Sequence, residues 1–134
     1  MRSDTQSVTV AAPAGDVFIL MADPRALPRW AVGFAQAIRA DGEAWVVTTG
    51  QGAEVTVRYR TDPGSGTVDF EMEPAPGVVA TAYARVIPNG EGADVVFTQQ
   101  QAPGMPDDVF DAQVGALSHE LTVLKALVEV ACPT

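Results

Sequence analysis

Residues 106–131, PDDVFDAQVGALSHELTVLKALVEVA, carry the longest unbroken helical pattern in the chain, and the other segments have to accommodate it. Phe110, Val114, Leu117, Leu121, Leu124 and Val128 recur at steps of three and four, which draws one apolar stripe along one side of a helix. Pro106 suits a first helical turn. Asp107, Asp108 and Asp111 place negative charge at the positive end of the helix dipole. Lys125 lies near the other end, and Pro133 closes the run. At about 1.5 Å per residue such a helix is roughly 37 Å long, enough to cross a small domain. Its stripe needs a broad apolar partner, which a curved sheet supplies.

The preceding residues fit that demand. After a loose terminus at residues 1–5, Gln6–Ala11 alternates as a short strand, and Pro13 opens a short apolar helix through Ala22 with Asp16 in its first turn. Asp23-Pro24 ends that helix, and residues 26–30 form a second, very short helix or turn. Strands are predicted at Phe34–Ala40, Ala44–Thr49, Ala53–Thr61, Thr67–Glu73, Val78–Ile87 and Ala93–Gln101, separated by Gly-, Pro- and Asn-rich breaks. Short connections make these an antiparallel meander. Val55, Val57 and Tyr59 share one face with Val68, Phe70 and Met72, while Arg58, Arg60, Asp69, Glu71 and Glu73 share the other. One dry face and one charged face give a two-layer α+β fold. If Asp62 faces Thr67, then Tyr59 faces Phe70, Val57 faces Met72, Arg60 faces Asp69 and Arg58 faces Glu71.

Composition narrows the function. The 134 residues are expected to form one domain, 1–134, with its core in 6–131. The formal charge of −9, from 17 acids against 8 bases, argues against nucleic acid or anionic lipid as a partner. Residues 1–15 contain no apolar leader and no run reaches membrane-spanning length, so a cytoplasmic protein without membrane insertion is expected. Cys132 stands alone, with no intramolecular disulfide available to it. No cluster of metal-ligating residues is evident and no cofactor is expected. His119 falls about 200° round the helix from Leu117 and should face water. The carboxylates at Asp69, Glu71 and Glu73 fall on the wet face and read as cross-strand partners of Arg58 and Arg60.

The order strand, helix, short helix, six strands, long helix resembles the helix-grip fold of the START/Bet v 1-like (SRPBCC) superfamily. Three passages carry the likeness: VTVAAPAGDVFILMADPRALPRW at residues 8–30, the hairpin at residues 88–94 leading into Val95-Val96-Phe97, and the closing helix ending LKALVE at residues 124–129. Within the superfamily the chain is most similar to the bacterial polyketide cyclase/dehydrase and lipid-transport group. The resemblance implies a curved antiparallel sheet of about seven strands wrapped around the C-terminal helix, two short helices after the first strand, and a cavity for an apolar small molecule. Ligand-binding candidates are then Trp30, Phe34, Tyr59, Phe70, Tyr83, Phe97, Gln99, Met105, Phe110, Gln113, Val114 and Leu117, an apolar wall with a few amides and hydroxyls.

Three functions remain open. The first is binding of a lipid- or polyketide-like molecule, by a monomer or a homodimer. The second is a polyketide cyclase or dehydratase, for which Tyr59, Tyr83 and Arg85 are the candidates to polarise a carbonyl. The third is an interaction domain whose cavity has collapsed.

Overall fold

The computed structural model describes residues 1–131. Its elements are β1 (Ser3–Val10), α1 (Ala14–Ala22), a 3-10 turn (Pro24–Ala26), α2 (Leu27–Trp30), β2 (Ala37–Asp41), β3 (Ala44–Thr48), β4 (Glu54–Asp62), β5 (Thr67–Ala75), β6 (Val78–Asn89), β7 (Gly92–Gln100) and α3 (Asp107–Ala131). The strands form one antiparallel sheet in the order β1-β7-β6-β5-β4-β3-β2, so the first strand joins the last and the rest is a meander. The sheet curves around the long helix, as in the helix-grip fold. Cys132 and Pro133 lie outside the described residues.

Local chemistry explains the boundaries. Pro13 caps α1 rather than opening it: its carbonyl accepts from the N–H groups of Asp16 and Val17. Pro106 stands in the same relation to α3, accepting from Phe110 N–H at 3.1 Å. Asp23 stops α1 in extended backbone, and its side chain then accepts from Arg25 N–H at 3.0 Å to start the 3-10 turn. Two expectations shift. The terminus is not loose, because Ser3 to Thr5 pair with Gln100 to Thr98. Phe34 does not begin β2; its N–H bonds to Ala31 carbonyl in a turn that follows α2.

The β4–β5 register is the one the alternation of faces predicts, with Tyr59 opposite Phe70, Val57 opposite Met72, Arg60 opposite Asp69 and Arg58 opposite Glu71. The ion pairs, however, run diagonally: Arg60 meets Glu71 at 2.7 Å and Arg58 meets Glu73 at 3.2 Å. Strand twist brings the diagonal neighbour within reach of a long side chain. The turn between these strands is held by Gly66, whose φ is +71° and whose hypothetical Cβ would lie 2.2 Å from Val86 carbonyl oxygen.

The core lies between the sheet and the helices. Leu117, Leu121, Leu124 and Val128 of α3 are buried in it with Val17 and Met21 of α1 and Trp30 of α2. Polar ties fix both ends of α3. Near its C-terminus Lys125 Nζ donates to Thr9 carbonyl at 2.9 Å, and Glu129 accepts from Lys125 and from Ala11 N–H. Those bonds, that from Lys125 foremost, hold the Glu129 carboxyl below its ordinary range. Near its N-terminus Arg2 pairs with Asp111 at 2.7 Å and lies over the Phe110 ring at 5.0 Å. No described helix is long and apolar enough to cross a membrane.

Candidate functional site

Beneath the N-terminal half of α3 the layers separate and leave a cavity of about 500 Å³. Its floor is aromatic. The rings of Phe70 on β5 and Phe97 on β7 stack at 5.7 Å, and Trp30 meets both edge-on at 6.1 and 6.4 Å. The intervening strand makes that stack possible, because Ala82 of β6 stands opposite Phe70 and Ala84 opposite Phe97. Two small side chains on the inner face of β6 let two large ones meet across it. The rim is formed by Phe34, the β3–β4 turn at Thr49 and Gln51, the β5–β6 end at Pro74 and Val78, and Met105 before α3. At that end the β5–β6 register slips between Met72 and Ala75, a bulge that accommodates Pro74.

The roof departs from the expected stripe. Val109, Ala112, Gln113, Ala116, Leu117 and Glu120 of α3 face the cavity. Small side chains at positions 112 and 116 keep the space open. Phe110 and Val114 belong to the neighbouring row and do not line the cavity; Arg2 covers the Phe110 ring, and Gln6 Nε2 of β1 donates to the Val114 backbone carbonyl at 3.0 Å.

Eight of the proposed ligand contacts therefore gather on the wall: Trp30, Phe34, Phe70, Phe97, Gln99, Met105, Gln113 and Leu117. Gln99 is partly committed, since its amide donates to Gln113 carbonyl at 3.4 Å and to Asp4 at 3.3 Å. Phe110, Val114, Tyr59 and Tyr83 do not reach the wall. Tyr59 faces inward but packs under Phe70, ring centroids 5.0 Å apart. Burial, with a smaller contribution from Asp23, raises its hydroxyl pKa far above the ordinary value. Tyr83 and Arg85 lie on the outer face of the sheet, because Ala82, Ala84 and Val86 take the inner one. Tyr83 is 46% exposed, and Arg85 Nη2 donates to Ser65 carbonyl at 2.9 Å. The three residues expected to polarise a carbonyl are thus absent from the cavity.

Glu120 is the functional group that the helical pattern alone did not bring forward. It is the only buried charged side chain among the described residues, 7% exposed; the Trp30 Nε1 and the Tyr59 hydroxyl are buried as well, without hydrogen-bond partners. Its Oε2 accepts from Gly33 N–H at 3.0 Å, and Phe34 N–H also helps to hold the charge. Burial outweighs both bonds and pushes the carboxyl up from 4.5 to about 7. The readable signal was its spacing: three residues after Leu117 and four before Leu124, an acid inside the apolar stripe. No group of three or more potential metal ligands occurs among the described residues. A second hollow of about 500 Å³ lies outside the core, between α1 and the β4–β5 turn.

The family model for polyketide cyclase / dehydrase and lipid transport proteins matches residues 1–129. The chain belongs to this family. Among solved structures, XoxI from Bacillus cereus superposes with a TM-score of 0.79 at 17% identity, covering 96% of each chain. The Aha1 dimer from Colwellia psychrerythraea gives 0.74 at 14% identity, over 97% of this chain and 98% of that one. The di-domain ARO/CYC BexL from the BE-7585A biosynthetic pathway gives 0.75 at 25% identity, with 96% of this chain aligned to 47% of that one. No curated protein matches the sequence. Proteins with such different names share the sheet-and-helix frame, so the frame by itself assigns no reaction.

Proposed function

We propose that this member of the polyketide cyclase / dehydrase and lipid transport family binds a small, mainly apolar molecule between its sheet and the N-terminal half of α3. The observation that carries the reading is the cavity of about 500 Å³, floored by Trp30, Phe70 and Phe97 and bearing one buried carboxyl, Glu120. Apolar walls supply affinity through burial, and a few polar groups, Glu120 the only charged one, orient the guest. The aromatic floor suits a flat, polyketide-like ligand, in keeping with the likeness to BexL.

A second reading rests on Glu120. A carboxyl with a pKa of about 7 is matched to proton transfer near neutral pH. In a cyclase or dehydratase it would be the acid or base, in place of Tyr59, Tyr83 and Arg85.

Titration with Nile red, a neutral apolar dye, tests the first reading. One saturable site per chain is expected, weakened about tenfold or more by Ala80→Phe, since Ala80 lines the cavity and is half-buried on β6. A dye that fails to bind, or binds the variant equally well, overturns it. Native mass spectrometry of the purified protein would then name the guest. Turnover of a poly-β-keto substrate that is lost in Glu120→Gln would favour the second reading.

A further inference from the structure

We infer that the cavity selects its guest by charge, admitting neutral and cationic molecules that present a hydrogen-bonding group to Glu120 and rejecting carboxylates and other anions of the same shape. This rests on the binding reading above and adds the chemical class of the ligand.

Glu120 shares the cavity with groups from three elements. From the turn after α2 come the backbone N–H groups of Gly33 and Phe34. The sheet contributes aromatic and aliphatic side chains, chiefly Phe70, Phe97 and Met72, and its rim adds Thr49, Gln51, Gln99 and the other uncharged groups of the wall. The same helix contributes Ala116, Leu117 and Gln113. Across all these elements the wall holds no Lys, Arg or His, and no acid besides Glu120. An anionic head group entering this space would lose its hydration without gaining a cation, and would meet the one carboxyl already there. An ammonium would gain a counter-ion where none other is available. A neutral hydroxyl could donate to the carboxylate, and a carbonyl could accept from its protonated form.

The protonation state supports the same conclusion. With a pKa of about 7, Glu120 is mostly ionised in mildly basic solution and mostly neutral in mildly acidic solution, so the preference should depend on pH. The cations closest in sequence to wall residues are turned elsewhere: Arg29, beside Trp30, is exposed, and Arg58, beside Val57, pairs with Glu73 at 3.2 Å on the outer face; Arg2 goes to Asp111 and Phe110, and Arg25 to the Trp45 ring at 5.0 Å. None of them lines the cavity.

Three probes of one shape test the inference: naphthylmethanol, naphthylmethylamine and naphthoate, each competing against bound Nile red. At about pH 8 the ammonium should bind at least as tightly as the alcohol, and naphthoate at least about tenfold more weakly, a factor that corresponds to one pKa unit of differential interaction. Lowering the pH to about 5.5 should shrink the ammonium preference in the wild type. In Glu120→Gln the advantage of the ammonium over the alcohol should fall about tenfold and the pH dependence of that ratio should vanish, because the titrating charge is gone. Naphthoate binding as tightly as the alcohol in the wild type would overturn the inference, as would an ammonium preference unchanged in Glu120→Gln. If that variant does not fold, the wild-type pH series decides alone, and a flat series is a refutation. Nile red binding with no charge selection removes this inference and leaves the binding reading intact; no Nile red binding removes both.

Discussion

The backbone N–H of Gly33 donates to Glu120 Oε2 at 3.0 Å, joining the turn after α2 to the middle of α3. The approach is close because residue 33 lacks a side chain: a Cβ there would lie 3.1 Å from Ala116 Cβ and 3.3 Å from Glu120 Oε2. The contact fixes the carboxyl at the edge of an apolar space and makes its protonation a property of the fold.

Stability should therefore depend on Glu120 and pH. Its pKa is raised on folding from 4.5 to about 7, so the native state holds the proton more tightly than the unfolded chain. The contribution is fully present below 4.5 and is lost as pH rises through about 7. Relative to Glu120→Gln, the wild type should lose on the order of 3 kcal/mol across that window. Denaturant melts of both proteins at the two ends measure it; a difference that is flat or of opposite sign would refute the assignment.

Truncation along α3 should separate packing from cavity lining. Leu124 is fully buried away from the cavity, and Leu124→Ala should cost about 2–5 kcal/mol with little change in dye affinity per folded molecule. Leu117 lines the cavity, so Leu117→Ala should cost less, about 1–3 kcal/mol, because less packed contact is lost there. It should change dye affinity more. Thermal melts paired with dye titrations would distinguish the two sites.

Ala84 is 1% exposed and stands opposite Phe97. Enlarging it in Ala84→Leu should crowd the stack of Phe70 on Phe97 and cost about 1–3 kcal/mol. Near-ultraviolet circular dichroism, which reports aromatic packing, should change with it. An unperturbed spectrum and melt would mean that β6 can yield at this position.

Gly66→Ala meets two obstacles, a φ of +71° and a carbonyl oxygen 2.2 Å from the new carbon. A loss of about 3 kcal/mol is expected, at the upper end of ordinary single substitutions, with the β4–β5 turn and the Val86 N–H to Gly66 carbonyl bond as its centre. Hydrogen exchange at Val86 would localise the damage.

His119 is exposed on α3 and Tyr83 on the outer face of β6. His119→Ala and Tyr83→Phe should each leave stability within about 0.5 kcal/mol and dye affinity unchanged. A loss of dye binding in either would show that the site extends beyond the cavity.

Much of this molecule was legible in the one-dimensional chain because periodicity is a local property. The stripe through Leu117, Leu121, Leu124 and Val128 marked the helix and its buried side, and alternation in residues 54–73 set both the faces and the register of β4 against β5. A slip of one residue would have exposed Val57 and Phe70 and buried Arg58, so the hydrophobic effect left one solution. What alternation could not decide was which face of β6 turns inward, because size misled: tyrosine and arginine stood out, yet alanine was needed where Phe70 and Phe97 cross. Nor could the helical stripe alone say that Val109, Ala112 and Ala116 roof a cavity while Phe110 and Val114 stay off its wall; that depends on where a rigid helix crosses a curved sheet. The chemistry of Glu120 is tertiary for the same reason. Its spacing put it in the stripe, but only the layers packed around it remove the water that would have kept its pKa ordinary.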